Sequence, residues 1–367
     1  MSVRAADVIL EVSRSPSLPK LTLPRLALPS MALPKLTRSG GGRPVVGLDI
    51  EAGAIHAARV TVNGHVSVEQ TASTALAPGV VRDGEVVDSQ ALAEALRELF
   101  GEHGLDPHVR LGIANQRVVV RTLELPRIDD PKELAAAIRF QAPEQVPMPL
   151  DQAVLDHVVL DTVETEKGPR MRVLLVAARR DMVERLLGAA RAAGLRPAGV
   201  DLAAFAMVRA LPRTDDTVLQ LAVGGVVNMA VAREGRCLFT RVIGGGLEAL
   251  AIELAERRAE TIDEARVAIA TEGLDGDEMV VTLLDDGVRR IAGEVRNSLD
   301  FHVGAQSAAD AAVARVLLTG PAAQVPGFAA ALGERLSLPV EAVGAAGTDD
   351  GHRFTVAAGL AVEQVHA

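Results

Sequence analysis

The sequence predicts an α/β protein built twice. It reads as two duplicated mixed-sheet domains, a small α+β subdomain inserted in the first, and an N-terminal tail without fixed structure. Three observations carry this reading. The same three-stranded opening is written once from Pro44 and again from Thr217. Helical segments with apolar stripes follow each copy, the pattern of an α/β chain. Residues 1–43 differ in composition from everything after them. At 367 residues the chain has length for two domains.

Composition excludes several classes. Apolar residues make up 49% and charged residues 23%, enough for a sizeable core. With seven Phe, no Tyr and no Trp, that core must be aliphatic. That scarcity argues against a carbohydrate cleft or a stacking surface for single-stranded nucleic acid, since both usually rely on aromatic faces. The net charge of −10 argues against general nucleic-acid binding. Cys237 stands alone, so neither an internal disulfide nor a thiolate cluster can form, which suits a reducing compartment. The uncharged stretch Thr217–Ala232 has 16 residues, short of the roughly 20 that a spanning helix needs. The first residues carry no apolar core followed by a cleavage-like site.

The tail repeats every five residues as SLPKL, TLPRL, ALPSM and ALPKL. Pro19, Pro24, Pro29 and Pro34 forbid a helix and bias each preceding Leu toward extended backbone. Ser39–Gly42 then forms a flexible joint. Residues 1–43 hold seven basic and two acidic side chains, a net +5 that leaves −15 on the rest. Low-complexity leader, contact with anionic lipid and linear motif for a groove are all compatible with this pattern.

After the tail, strands are expected at Val45–Ile50 and Ile55–Val62, with Asn63-Gly64 turning the chain into a third. Ser89–Phe100 places Leu92, Leu96 and Leu99 at helical spacing. Asp130-Pro131-Lys132-Glu133 reads as a capping box opening a helix that Pro143 ends. Asp181 and Glu184 repeat the device, with Gly194 closing that helix. From Thr217 the strands recur, with a turn at Glu234-Gly235. Setting Gly64 on Gly235, 171 residues later, puts Gly53 on Gly224. Gly244-Gly245-Gly246 precedes a helix near Leu247, and Val288, Ile291, Val295 and Leu299 form a stripe. A strand at Ala314–Thr319 ends on Gly320-Pro321. The boundaries follow: tail 1–43, first domain 44–213 with an insert at about 118–178, second domain 214–367.

Strand–turn–strand openings with Asp49 closing the first strand resemble the actin-like ATPase fold. In that fold two facing hairpin turns hold ATP phosphates through backbone N–H groups, and the acid positions magnesium. More specific text narrows this. The run VVVRTLELPRIDDPKELAAAIRFQAPEQVPMPLDQAVLDHVVL, with APGVVRDGEVVD, RVLLVAARRDMVERLLGAARAAGLRPAGVD and EVRNSLDF, resembles the PilM family of type IV pilus assembly, related to FtsA. VARVLLTGPAAQVPGF is similar to that family's late nucleotide-binding strand and helix. The resemblance implies a cytoplasmic scaffold at the inner face of the plasma membrane. It would be peripheral to the membrane, bind the cytoplasmic tail of a PilN-like bitopic protein, and pass conformational information to the pilus motor platform. A homo-oligomer is compatible with it. ATP and magnesium are the implied cofactors, with Asp49 toward the metal and Gly53, Ala54, Gly224, Gly225, Gly245, Gly246 and Gly320 toward the nucleotide. The partner groove is implied between the first large subdomain and the insert, with Leu123, Pro126, Phe140, Gln141, Glu144 and Pro147 as contacts.

The nucleotide text departs from the family pattern. Where the family reads Asp-Ile-Gly followed by serines, this chain reads Asp49-Ile50-Glu51-Ala52-Gly53-Ala54, and His56 takes the usual lysine position. A carboxylate at Glu51 would repel a phosphate. The second loop should follow an acid, but the internal repeat puts Gln220 there and the family pattern Leu221. Gly320-Pro321-Ala322 replaces a glycine-rich motif. Phosphoryl transfer rests on positioning and electrostatics, so these changes point to a degenerate site and a non-enzymatic scaffold. Asp49 as a turn cap, and the glycines as ordinary turn residues, are alternatives at each position. An active actin-like ATPase, a small-molecule kinase of the same superfold, or an FtsA-like membrane filament are the rival functions. The last would call for an amphipathic C-terminal anchor, which GLAVEQVHA does not resemble. The eight His make no metal-ligand spacing, and Cys237 falls on an apolar strand as a small hydrophobe.

Overall fold

The computed structural model describes residues 45–362 apart from 166–167 and 305–311. The expected tail at 1–43 and the last five residues lie outside the described residues.

The first half opens with β1 (Val46–Ile50), β2 (Ala54–Val62) and β3 (Val66–Ala75). A two-residue pair, β4 (Val81–Arg82) and β5 (Glu85–Val86), leads to α1 (Ser89–His103) and β6 (His108–Ile113). After β7 (Val119–Pro126), α2 (Pro131–Gln145), β8 (Ala153–Thr165) and β9 (Gly168–Arg179) come α3 (Arg180–Ala192), β10 (Arg196–Leu202) and α4 (Ala203–Ala210). The second half contains β11 (Val218–Val223), β12 (Val227–Arg233), β13 (Arg236–Ile243), α5 (Leu247–Arg258), α6 (Ile262–Glu272) and α7 (Glu278–Gly304). It finishes with β14 (Arg315–Thr319), α8 (Phe328–Leu336), β15 (Val340–Ala342) and α9 (Gly351–Ala361).

The two large sheets have one topology. Their orders are β3-β2-β1-β6-β10 and β13-β12-β11-β14-β15. In each, two antiparallel hairpins are followed by two parallel strands. The expected duplication is therefore real at the level of strand order, but its gapless register is not. β2 has nine residues and β12 seven, so matching the outer turns slides the inner turns by two. Counted from the inner turns, Glu51 corresponds to Gly224 and Asp49 to Ala222. The strand pairing agrees, since Asp49 faces His56 one step beyond Ile50–Ile55, and Ala222 faces Asn228 one step beyond Val223–Val227. Leu221 points to the opposite face, into the second core. The position of the second acid is thus held by alanine, neither Gln220 nor Leu221.

Alternation sorts each strand's side chains between two cores. Val46, Leu48 and Ile55 pack against Leu92 and Leu96 of α1 and Leu186 of α3. Leu219, Leu221 and Val223 pack with Leu250 of α5 and the Val288, Ile291 and Val295 stripe of α7. A third cluster joins α4 and α9 to β11 and β12 through Met207, Val218, Ala222, Ala230, Val356 and Leu360. These two helices form the seam between the halves, and α9, last in the chain, lies on β1 and β2 of the first sheet.

The insert is a three-stranded antiparallel sheet, β7-β9-β8, with α2 over it. Its own small core includes Leu125, Leu134, Ile138, Val146, Met171 and Val173. Cys237 is fully buried, and burial pushes its thiol up to about 12, so it is a hydrophobe and not a nucleophile.

Three helix boundaries differ from expectation. α1 runs beyond Phe100 to His103, where Gly104 at φ 60° closes it. Pro143 does not end α2, which continues to Gln145. The proline sits in the last turn on an exposed face, so the missing N–H costs one bond near an end that frays anyway. Asp181 lies inside the first turn of α3, where Arg179 is the cap, and its carboxylate is held down by the Arg179 guanidinium. Asp130 does cap α2, accepting from the Lys132 and Glu133 backbones. Among the described residues, no helix is long and apolar enough to cross a membrane.

Candidate functional site

The two inner hairpin turns, 51–53 and 224–226, meet across the seam. Asp49 reaches this point from the end of β1 and is 7% exposed. Burial, reinforced by the neighbouring Glu51 charge, raises its carboxyl well above the usual range. A cavity of about 40 Å³ lies beside it, with Gly112, Ala203, Ala222 and Asn228 in its wall. No second carboxylate comes from β11, because Ala222 occupies the matching position.

Glu51 is the centre of the arrangement. Its Oε2 accepts a hydrogen bond from Gly225 N–H of the opposite turn at 2.9 Å. A Cβ on Gly224 would stand 2.0 Å from the same oxygen, so glycine is needed there for the carboxylate to fit. Burial raises the Glu51 pKa, and the Gly225 bond partly offsets this. Two further turn amides are bonded within their own turns: Glu51 N–H to Ala54 O at 2.9 Å, and Gly224 N–H to Val226 O at 3.1 Å.

A second tie crosses the same seam. Arg266 of α6 grips Glu248 of α5 through two bonds, Nε at 2.9 Å and Nη2 at 2.6 Å. From there it reaches the first half, donating to Leu76 O at 3.3 Å and Ala52 O at 3.5 Å. Next to these groups opens a cavity of about 380 Å³ with Gly53, Ala54, Leu247, Ile269, Val325 and Arg353 in its wall. His56 also borders it. Its Nδ1 bonds the Ser73 hydroxyl at 3.0 Å, while its buried Nε2 has no hydrogen-bond partner among the described residues. Burial holds this imidazole down at about 4, hence neutral, so it cannot replace the charge of a lysine.

Of the residues expected from the sequence, Asp49, Gly53, Ala54, Gly224 and Gly225 come together around Glu51. Gly246 packs on the Gly224 carbonyl, where a Cβ would meet oxygen at 2.2 Å. Gly245 borders a neighbouring hollow with Gly225 and Glu248. Gly320 adopts φ 77° beside Val223, and the following Pro321 reaches the large cavity. No local pattern marks the reach of Arg266 across the seam, where its acceptors Leu76 O and Ala52 O lie 190 and 214 residues away.

As placed, these groups do not fit a magnesium polyphosphate. A carboxylate stands on the N–H that a phosphate oxygen would take, and Ala222 holds the β11 position matching Asp49, where a second acid would sit.

The residues expected to contact a partner all lie on the insert. Phe140 projects from α2 and is 85% exposed. Pro126, Glu144 and Pro147 are exposed and Gln141 is half-buried on the same subdomain. Leu123 differs: at 3% exposed it fills the insert core and supports the sheet without presenting a surface.

A family model described as "Type IV pilus assembly protein PilM" matches residues 47–347. The chain belongs to the PilM family. A solved PilM–PilN type IV pilus biogenesis complex aligns at a TM-score of 0.75 and 25% identity, over 87% of this chain and 98% of that one. The ethanolamine utilization protein EutJ from Carboxydothermus hydrogenoformans aligns at 0.54 and 15% identity, over 90% and 92%. MreB 5 of Spiroplasma citri bound to AMPPNP aligns at 0.51 and 12%, over 87% and 95%. The last two establish the actin-like fold that this PilM-family chain shares.

Proposed function

We propose that this protein is a docking scaffold of the type IV pilus machinery that binds the cytoplasmic tail of a PilN-like bitopic membrane protein. It would act as a peripheral component at the inner face of the plasma membrane and relay contact to the motor platform. The observation that carries this reading is the likeness, over nearly the whole of the relative, to a PilM captured with PilN. The role needs no hydrolysis, which accords with Ala222 at the position matching Asp49 and with Glu51 on Gly225. Peptide docking draws on exposed apolar anchors, and Phe140 is the most exposed large hydrophobe among the described residues.

The test is a titration of a synthetic PilN N-terminal tail into wild type, Phe140→Asp and Glu144→Lys. Burying a phenylalanine contributes about 1.5–3 kcal/mol, so Phe140→Asp should weaken binding by about tenfold or more. Wild-type affinity in both variants would remove the insert's α2 face from the docking surface. Circular dichroism of the variants should be unchanged, because neither side chain is part of a core.

A further inference from the structure

The position that should receive phosphate is filled from within. Three features mark it as a built seat and not a chance contact. The Gly225 N–H is directed at the Glu51 carboxylate, 174 residues away in sequence. The seat is shaped by glycines, since a Cβ on Gly224 would collide with both Glu51 oxygens at 2.0 and 2.7 Å, and one on Gly225 would stand 2.9 Å from Ala52 N. Arg266 brings positive charge to the same junction, held by Glu248 and reaching the carbonyl of Ala52, next to Glu51.

In actin-like proteins the two hairpin turns are bridged by a ligand's phosphates, which accept from backbone N–H groups. A carboxylate oxygen is the same kind of acceptor: anionic, and strengthened when it receives an N–H in a buried place. We propose that Glu51 is an internal anion that replaces the nucleotide phosphate, bridging the two turns so that the cleft stays closed with no nucleotide bound. The bridge makes each half the ligand of the other. The neighbouring cavity of about 380 Å³ has Glu51, Gly224 and Gly225 in its own wall, so a nucleotide entering it would meet a carboxylate where its phosphates need an N–H. This inference does not depend on the PilN reading: the cleft could close itself whatever docks on the insert.

The experiment uses the full chain as wild type, Glu51→Gly and Glu51→Gln, without nucleotide and then with a fluorescent ATP analogue and magnesium. Glu51→Gly frees the Gly225 N–H and restores room for close backbone approach, while Glu51→Gln keeps the size and removes the charge. Hydrogen exchange in the nucleotide-free proteins reads the bridge directly. Amides of residues 51–54 and 224–228 should exchange at least about tenfold faster in Glu51→Gly than in wild type, with Glu51→Gln between them, as expected when a charge-assisted bond is lost. The analogue should bind Glu51→Gly at least about tenfold more tightly than wild type, because a like charge has left the phosphate seat. Equal exchange in all three proteins overturns the proposal, and so does wild type binding the analogue as tightly as Glu51→Gly. Should Glu51→Gly fail to fold, the exchange comparison between wild type and Glu51→Gln decides it by the same criterion.

Discussion

Replacing Arg209 with alanine is expected to lower the unfolding free energy by about 3–5 kcal/mol. Arg209 lies on α4 with its side chain 2% exposed, and it is ion-paired through Nη2 with Asp201 at the end of β10. Its Nε donates to Gly359 O on α9 at 3.0 Å, so one guanidinium ties β10, α4 and α9 together at the seam. Truncation takes the Arg209 guanidinium away from a largely buried carboxylate and leaves the Gly359 carbonyl without this donor. Both are costs of removing one partner only, and they exceed the net value of the pair. Chemical denaturation monitored by circular dichroism measures the loss. Adding Asp201→Asn to an Arg209→Met background should recover part of it, because the buried carboxylate that faced the lost guanidinium is then neutral. A strictly additive cycle would contradict this assignment.

Gly359→Val should be nearly as damaging, at about 3 kcal/mol. Glycine within a helix ordinarily weakens it by roughly 1 kcal/mol relative to alanine, so helix propensity alone predicts a gain on substitution. Packing reverses the sign. A Cβ on Gly359 would stand 1.8 Å from Ala206 O and 2.4 Å from its carbonyl carbon, both backbone atoms of α4. The opposite face of α9 is equally close to the sheet, since a Cβ on Gly47 would meet Ala357 O at 1.8 Å. Neither helix can yield without opening the seam. Gly188→Ala on α3 is the control: nothing lies within 4 Å of its added Cβ, and that substitution should stabilise the protein by about 0.5–1 kcal/mol. Thermal melts of the two variants should shift in opposite directions.

Much of the fold was legible because its signals are local. Asn63-Gly64 and Glu234-Gly235 mark hairpins by their need for positive φ, which Gly64 and Gly235 adopt at 81° and 74°. Asp130 followed by Pro131 marks a helix start by supplying an acceptor for orphan amides. Register was less legible, because β2 carries two more residues than β12 and a bulge between Arg59 and Val60. Nothing in the strand text shows which residue is extra, so Gln220 and Leu221 stood where Ala222 belongs. Leu123 was misplaced for a related reason: alternation identifies two faces of β7 but does not say which one α2 covers. Glu51 was recognisable as an obstacle to phosphate from its place in the loop. Its bond to Gly225 and the Arg266 clamp depend on how the halves close, and no local pattern reports contacts across such separations.

The most direct test of the scaffold reading is calorimetric titration of the PilN N-terminal tail into the nucleotide-free, full-length protein, repeated with magnesium-ATP present. The account predicts saturable binding with the same affinity in both conditions, since docking occurs on the insert side and the cleft is already closed by Glu51. A correctly folded protein that takes up no tail peptide in either condition would contradict it.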